Sequence, residues 1–474
     1  MNRRFRILFL SWRDVHHPEA GGAEKYLSEV AEGLVARGHQ VTIRTAAYPG
    51  AIPDEVVHGV AYSRRGGRFG VFPRALASRL TGRLRADVVV DVQNGVPFLS
   101  PLGGRARVIN LVHHVHKEQW PVVVGDRAAG VGWWLESQVA PRVYRRSEYV
   151  AVSQATRAEL AGLGVDPSRT EVIHNGTDVV ADPHVTRSPE PVVTVLGRLV
   201  PHKRVEIALD AVAALANDFP GLRLNVVGSG WWGPRLESYA AELGIADRVT
   251  FTGHVSEGEK HRILAESWVL AFPSLKEGWG LVVVEAGVHG TPSVAFRQAG
   301  GLRESIHDQE TGLLSDEGAE AFTACLRRLL ADPQLRHRMG VAAQAWVTRF
   351  RWSETVDAWE RLLVGPEAAD PRADATADIA PPIAAAIIPV GAASNQAVAD
   401  WMRPDIDPGE AVGAPSGRPA AAAPVRPSTH ARSPRRATRR AGQPVTGHDQ
   451  TPPGHGGEEA RIGAGGPREG YRSS

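Results

Sequence analysis

Two doubly wound α/β domains facing a cleft are what this sequence predicts, and three observations predict them. Val- and Ile-rich runs recur between helical patterns along most of the chain. The runs are mostly continuous rather than alternating, as in strands covered on both faces of a parallel sheet. There are about ten of them, too many for one ordinary sheet of this kind.

In chain order the strand candidates of the first domain are RILFLSW (6–12), QVTIRT (40–45), DVVVDV (87–92), RVINLVHH (107–114) and YVAVS (149–153). Those of the second are PVVTVLG (191–197), RLNVVGSG (223–230), RVTFTG (248–253), WVLAFPS (268–274) and PSVAF (292–296). After Gly22, residues Ala23, Tyr26, Leu27, Val30, Ala31 and Leu34 recur at three- and four-residue spacing, and Arg37-Gly38 supplies a helix stop. Val205–Ala216 behaves similarly, and residues 351–364 form one more amphipathic helix. The polar, proline-bearing stretch 179–191 is the expected break. An N-terminal domain then covers 1–185 and a C-terminal domain 186–349, with 350–365 a helix expected to lie back on the first domain. The tail, 366–474, is rich in Ala, Pro, Gly, Arg and Ser with scarcely an aromatic residue. Such composition cannot bury enough apolar area to offset chain entropy and reads as disordered.

Composition narrows the function. Lys plus Arg (54) nearly balance Asp plus Glu (52), and the net charge of +2 argues against nucleic acid or another polyanion as partner. The one cysteine, Cys325, in an apparent helix, excludes a disulfide framework and a cysteine zinc site and suits a reducing cytoplasm. The basic start and apolar Ile7–Leu10 are too short for a signal peptide and read as a buried first strand; no stretch approaches a membrane span.

Four clusters carry chemistry, and a doubly wound fold places such clusters at the carboxyl ends of strands. In AGGAEKYL, Gly21 and Gly22 stand between the first strand and its helix, where backbone N–H groups approach an anion unobstructed; alone, this is equally a tight turn. In LGRLVPHKR, Arg198 and Lys203 are two cations just past a strand, able to neutralise a pyrophosphate and the charge it develops on leaving. VVGSGWWGPRLE formally matches a dinucleotide fingerprint through Gly228, Gly230 and Gly233. Two tryptophans between its glycines make a structural loop the better reading, with Gly228 near a nucleotide. In KEGWGLVVVEAG, Glu277 precedes the loop Gly278-Trp279-Gly280, and Glu285 follows about two turns into a helix, on the face of Leu281 and Val282. A carboxylate at so apolar a position needs a partner, for which ribose hydroxyls serve.

Taken in order, these clusters with NLVHH, VSQATRAEL, VIHNGTD, VTFTGHVS and GGLRESIHDQETGLL resemble the retaining glycosyltransferases of family 4 over roughly residues 6–364. The resemblance implies the GT-B fold, a nucleotide-sugar donor, and neither a metal nor another cofactor. It implies that Arg198 and Lys203 grip the donor diphosphate, that Glu285 binds the ribose, and that Glu277 faces the donor sugar. The amides of Gly278–Leu281 would contact sugar and phosphate, Gly22 would lie against the diphosphate, and His113 would stand near the transferred sugar. Reaction would follow front-face attack, the leaving diphosphate helping to deprotonate the acceptor. Departures are His114 and His116 beside His113, and EAGVHGTP in place of the commoner EAMACGTP. Metal ligation by the three histidines is disfavoured, because on a strand 114 and 116 face away from 113. The lone D-x-D, Asp405–Asp407, lies in the tail.

Acceptor specificity is expected from loops such as 46–70 and 116–133. Arg64, Arg65, Arg68, Arg74, Arg79, Arg83 and Arg85 occur without an acidic residue between Glu55 and Asp87, and Phe72, Leu76, Leu80 and Leu84 recur every fourth position. A basic amphipathic helix of this kind is either a packing helix with a charged outer face or a contact with anionic membrane, consistent with a lipid-linked acceptor. Competing readings are a catalytically silent nucleotide-sugar-binding protein and a nicotinamide oxidoreductase, the latter resting on Gly228 alone.

Overall fold

The computed structural model describes residues 4–365 apart from 178–180 and 182–183, without the side chains of 122–128. The tail and part of the expected 179–191 break lie outside the described residues. The strands are β1 (Arg6–Leu10), β2 (Gln40–Thr45), β3 (Asp54–Val57), β4 (Val60–Arg64), β5 (Val88–Gln93), β6 (Arg107–Val112), β7 (Glu148–Ala151) and β8 (Thr170–Val172), then β9 (Val192–Leu196), β10 (Arg223–Val227), β11 (Val249–Gly253), β12 (Val269–Phe272), β13 (Ser293–Phe296) and β14 (Gly312–Ser315). The first eight form one sheet in the order β3-β4-β2-β1-β5-β6-β7-β8, parallel except for the β3–β4 hairpin. The last six form an all-parallel sheet in the order β11-β10-β9-β12-β13-β14.

Thirteen α-helices accompany the strands among the described residues. The first five are α1 (Gly22–Ala36), α2 (Val71–Leu80), α3 (Trp120–Trp134), α4 (Ala140–Val143) and α5 (Gln154–Gly162). The rest are α6 (Val205–Leu215), α7 (Gly233–Glu242), α8 (Glu257–Glu266), α9 (Leu281–Val288), α10 (Leu302–Ser305), α11 (Ala319–Ala331), α12 (Pro333–Val347) and α13 (Trp352–Val364). Continuous burial along β5, β6, β12 and β13 is the physical basis of their unbroken apolar runs. α13 lies on α1: Trp359 Nε1 donates to Tyr26 Oη at 2.7 Å, and a methyl group on Gly33 would come within 2.4 Å of Val356.

All ten expected strands are present, and β3, β4, β8 and β14 are additions. The additions are short. β3, at the sheet edge, is joined to β4 through His58-Gly59, both at positive φ, a hairpin turn made without the usual Asn-Gly signal. Consequently 46–70 contains a hairpin, and 116–133 is mostly the helix α3 rather than a loop. The expected stripe Phe72, Leu76, Leu80 and Leu84 is also corrected. The helix ends at Leu80, its buried face is Val71, Ala75 and Arg79, and Leu80 is exposed. Arg64 is buried too, against Asp14 at 2.6 Å and Glu55, so neither Arg64 nor Arg79 belongs to a surface charge cluster. Cys325 sits half-buried in α11, its thiol pushed up chiefly by desolvation.

Candidate functional site

Each sheet reverses its winding once, between β1 and β5 and between β9 and β12. At such switch points neighbouring connections leave in opposite directions and open a crevice at the strand ends. The expected clusters occupy these places: Gly21 and Gly22 follow β1, Arg198 and Lys203 follow β9, and Glu277–Gly280 follow β12. The two crevices meet. A Cβ on Gly21 would stand 3.7 Å from Arg198 Nε, and one on Gly22 3.8 Å from Leu281 Cβ.

Contact is closest at Gly278, where a Cβ would sit 2.1 Å from the carbonyl oxygen of His113. Glycine is required there because backbone of the second sheet's loop rests on backbone of the first's. Gly278→Ala is therefore expected to force the loops apart and cut donor turnover by about 100-fold or more, since a misplacement near 1 Å has that scale of cost. Steady-state kinetics would check it, with unchanged turnover as the contrary result. Gly280 caps α9 at φ 91°, the left-handed region that favours glycine. The first N–H groups of α9, at Leu281 and Val282, find no acceptor among the described residues. They leave a positive helix end facing the crevice.

The charges at the site are layered. Buried Glu24 accepts from Gly21 N at 2.7 Å and from Arg13 Nε at 3.0 Å. These partners, with the field of Arg198, hold its carboxyl below the usual range despite burial, which by itself would raise it. Burial, then Arg13, pulls Arg198 below its ordinary value, with Glu24, Glu19 and Glu277 opposing. The Arg198 guanidinium makes no hydrogen bond to a described residue. A desolvated cation in that state gains from an incoming anion. Lys203 pairs with Glu277 and stands 5.1 Å from the Phe272 ring centroid. His113 stands edge-on to Tyr26 at 5.3 Å, and burial pulls its ring down to about 4 against the pull of Glu24, so it is neutral at pH 7.

Glu285 departs from expectation in two ways. It lies one turn into α9, not two, four residues after Leu281 on the same face. It is buried and already paired, with Lys260 at 2.8 Å and with Lys25, from α1, at 3.3 Å. Glu257 completes the cluster, at 2.9 Å from Lys260 and 3.1 Å from Lys25. Glu257, His261 and Glu285 have ligand atoms within 4.8 Å of one another, but the two ammonium groups among them suit an ion-pair cluster and not a metal.

Packing defines the surroundings of the remaining positions. Trp279 is a core residue, tilted against His174 at 4.4 Å and edge-on to Phe350 at 4.8 Å, so its backbone is the part that can reach a ligand. Gly228 is glycine because a Cβ would meet the Gly197 carbonyl at 2.0 Å, and Gly230 likewise meets Leu199 at 2.2 Å. The dinucleotide fingerprint is thus a backbone-packing pattern. His113 lies past the end of β6, so strand alternation does not govern 113–116; the His114 and His116 rings lie together at 4.2 Å while His113 faces Tyr26. Sequence reasoning missed Arg13, Glu24, Lys25 and Lys260. It also missed Glu304, whose carboxylate accepts from the Gln154 and Ala155 amides at 2.8 Å each, capping α5 from across the cleft. Glu24 and Lys25 stand in the quoted AGGAEKYL, where a charged pair after two glycines was the available signal.

Comparisons with known proteins accord with this arrangement. The family model described as Glycosyltransferase Family 4 matches residues 20–180, and that described as Glycosyl transferases group 1 matches 180–346. A D-inositol 3-phosphate glycosyltransferase of Mycobacterium tuberculosis is 32% identical over 406 residues, covering 75% of this chain and 82% of that protein. A GDP-mannose-dependent alpha-(1-6)-phosphatidylinositol monomannoside mannosyltransferase of Mycolicibacterium smegmatis is 29% identical over 384 residues, covering 73% and 96%. Among solved structures, the sucrose-phosphate synthase from Thermosynechococcus elongatus superposes with a TM-score of 0.63 at 22% identity, covering 76% of this chain and 98% of that one.

Proposed function

The chain belongs to glycosyltransferase family 4, whose members are retaining enzymes of GT-B fold, and from that premise we propose that it transfers a hexose from a nucleoside-diphosphate sugar to a hydroxyl acceptor. The observation that carries the reading is the convergence of Arg198, Lys203 and the amino end of α9 at one switch point, with Gly21 and Gly22 opposite. Two cations and a helix end suit a diphosphate and the negative charge it gathers as the glycosidic bond breaks. In this reading Glu285 meets the ribose by exchanging its contact with Lys25, and Glu277 meets the donor sugar by exchanging its contact with Lys203. Neutral His113 stands beside the transferred sugar. The acceptor oxygen attacks from the side the diphosphate leaves, its proton passing to a diphosphate oxygen, so no covalent protein nucleophile is needed. The test is acceptor-dependent release of nucleoside diphosphate from a panel including GDP-mannose and UDP-glucose, with product configuration read by NMR. An inverted anomeric centre, or neither transfer nor hydrolysis with any donor, would sink the proposal.

For the acceptor we propose a polyol or sugar, free or lipid-linked, on the reasoning that both relatives are named for inositol-containing acceptors. No helix among the described residues is long and apolar enough to cross a membrane. Peripheral contact at the cytoplasmic face remains our reading of the 64–85 region, now on corrected residues. Phe69 (72% exposed) and Leu80 (65%) stand out with exposed Arg68, Arg74, Arg83 and Arg85 around them. Such a surface is expected to pellet with vesicles of anionic lipid and to release at high salt. Sedimentation independent of lipid charge would contradict it.

A further inference from the structure

Apart from the donor crevice, one polar group on the cleft is built with unusual care. The connection between β6 and α3, residues 113–119, forms a lip of the cleft. Gly278 rests on the His113 carbonyl, and Glu118 comes within 3.9 Å of Lys276, next to Glu277. His116 lies in the middle of this lip with its side chain 16% exposed. Beneath it Glu136 is 1% exposed and receives three donors: His116 N at 3.1 Å, Trp120 Nε1 at 2.8 Å, and His116 Nδ1 at 3.0 Å. Glu136 comes from a π-helical turn, Leu135–Val139, that follows α3. Single π turns inside helices re-aim a side chain and are frequent at functional sites.

A carboxylate beneath Nδ1 fixes the imidazole tautomer. A proton is held on Nδ1, facing Glu136, which leaves Nε2 as the nitrogen able to accept from a ligand. Nε2 makes no hydrogen bond to a described residue. The groups around the ring are His114, stacked at 4.2 Å and held by Gln119, the Trp120 ring at 6.2 Å, and Glu136 below. Across the cleft is His202, next to Lys203, near enough to couple electrostatically with the His116 ring. Nδ1 is taken by buried Glu136, so Nε2 is the ring nitrogen left for a ligand, on a lip whose Glu118 meets Lys276 of the other domain.

We propose that His116, oriented by Glu136, accepts a hydrogen bond from a hydroxyl of the acceptor, a polyol or sugar, and so sets its pose beside the donor sugar. His116 is a binding residue here and Glu136 a positioning residue. The inference rests on the glycosyl-transfer reading and deepens it, adding the acceptor side to a site otherwise described for the donor. A fixed acceptor at Nε2 favours substrates that carry a donor hydroxyl at that point, because a site built to hydrogen-bond a hydroxyl discriminates against analogues that lack it.

The experiment compares wild-type enzyme with His116→Ala, His116→Gln and Glu136→Gln. Myo-inositol, myo-inositol 3-phosphate, phosphatidylinositol vesicles, glucose and glycerol serve as acceptor probes with the preferred donor. In His116→Ala, kcat/KM for the acceptor is expected to fall about 10- to 100-fold, mainly through KM, while nucleoside-diphosphate affinity and hydrolysis without acceptor stay within about twofold. Glu136→Gln keeps an acceptor for the Trp120 and backbone donors but loses the charge. It is expected to give a smaller loss and a His116 tautomer shift in long-range nitrogen–proton NMR spectra. His116→Gln, whose amide oxygen can also accept, should recover part of the loss. Unchanged acceptor kinetics in His116→Ala overturns the inference, as does a parallel loss of donor affinity. A wild-type enzyme that hydrolyses donor but glycosylates none of these hydroxyl probes overturns the acceptor class. One that neither binds nor hydrolyses a nucleotide sugar overturns the proposed function instead.

Discussion

Replacing Arg198 by alanine is expected to lower kcat/KM for the nucleotide sugar by about a hundred- to a thousand-fold, the scale of losing one preorganised charge from a transition state. Arg198 is desolvated, lies beside Gly21 and carries no hydrogen bond to a described residue, so its charge is free to act on a ligand. The diphosphate is more negative as it departs than when bound, so the loss falls on kcat as well as on KM. Lys203→Ala should act in the same direction and additionally free Glu277, whose unpaired carboxylate would repel the donor. The double variant should lose less than the product of the two single losses, because both act on one anion. Initial rates over a range of donor concentrations check this; a loss confined to the acceptor KM would move Arg198 out of the donor site.

Glu285→Gln carries the second large effect. The amide keeps the shape but cannot balance Lys260 and Lys25, both within 3.3 Å of the present carboxylate. Turnover is expected to fall about a hundredfold or more if the carboxylate also meets the donor ribose, charged hydrogen bonds being the stronger kind. Glu285→Ala costs stability as well, because buried Lys260 is left with exposed Glu257 as its remaining partner. The Gln variant therefore separates the two roles: its amide oxygen still accepts from Lys260, so it should lose less stability than Glu285→Ala while losing activity. Activity measured beside thermal denaturation checks it, and full activity in Glu285→Gln would refute the ribose role.

Much of this was legible before the structure because its physics is local. Buried parallel strands write themselves as unbroken Val and Ile runs, which is why β1, β5, β6, β9, β10, β12 and β13 could be read off. Glycines at Gly21, Gly22 and Gly278 mark close backbone approach, and their positions after strands place them. What was illegible is non-local. The partners of Glu285 come from α8 and, across the cleft, from α1, so no spacing rule connects them. The packing of the Trp279 ring against His174 and Phe350 joins residues more than seventy positions away on either side, which no local pattern connects. A period of four suggested a leucine stripe on α2, yet the neighbouring turn at Gly103 and Gly104 selects the face with Arg79, against which those glycines lie. Glu136 was invisible because a π turn shifts the helical register that sequence reading assumes.

The central claim is that a nucleoside diphosphate occupies the crevice between Arg198, Lys203, Glu285 and the Gly21-Gly22 turn. The most direct measurement is thermal denaturation of wild-type protein and the Arg198→Ala and Lys203→Ala variants with GDP, UDP and ADP at millimolar concentration. A ligand that binds the native state raises the apparent melting temperature in proportion to the logarithm of its saturation. At least one diphosphate should stabilise the wild-type protein, and both variants should lose most of that shift while retaining their ligand-free melting temperatures. No shift with any diphosphate, or an equal shift in wild type and variants, would contradict the account.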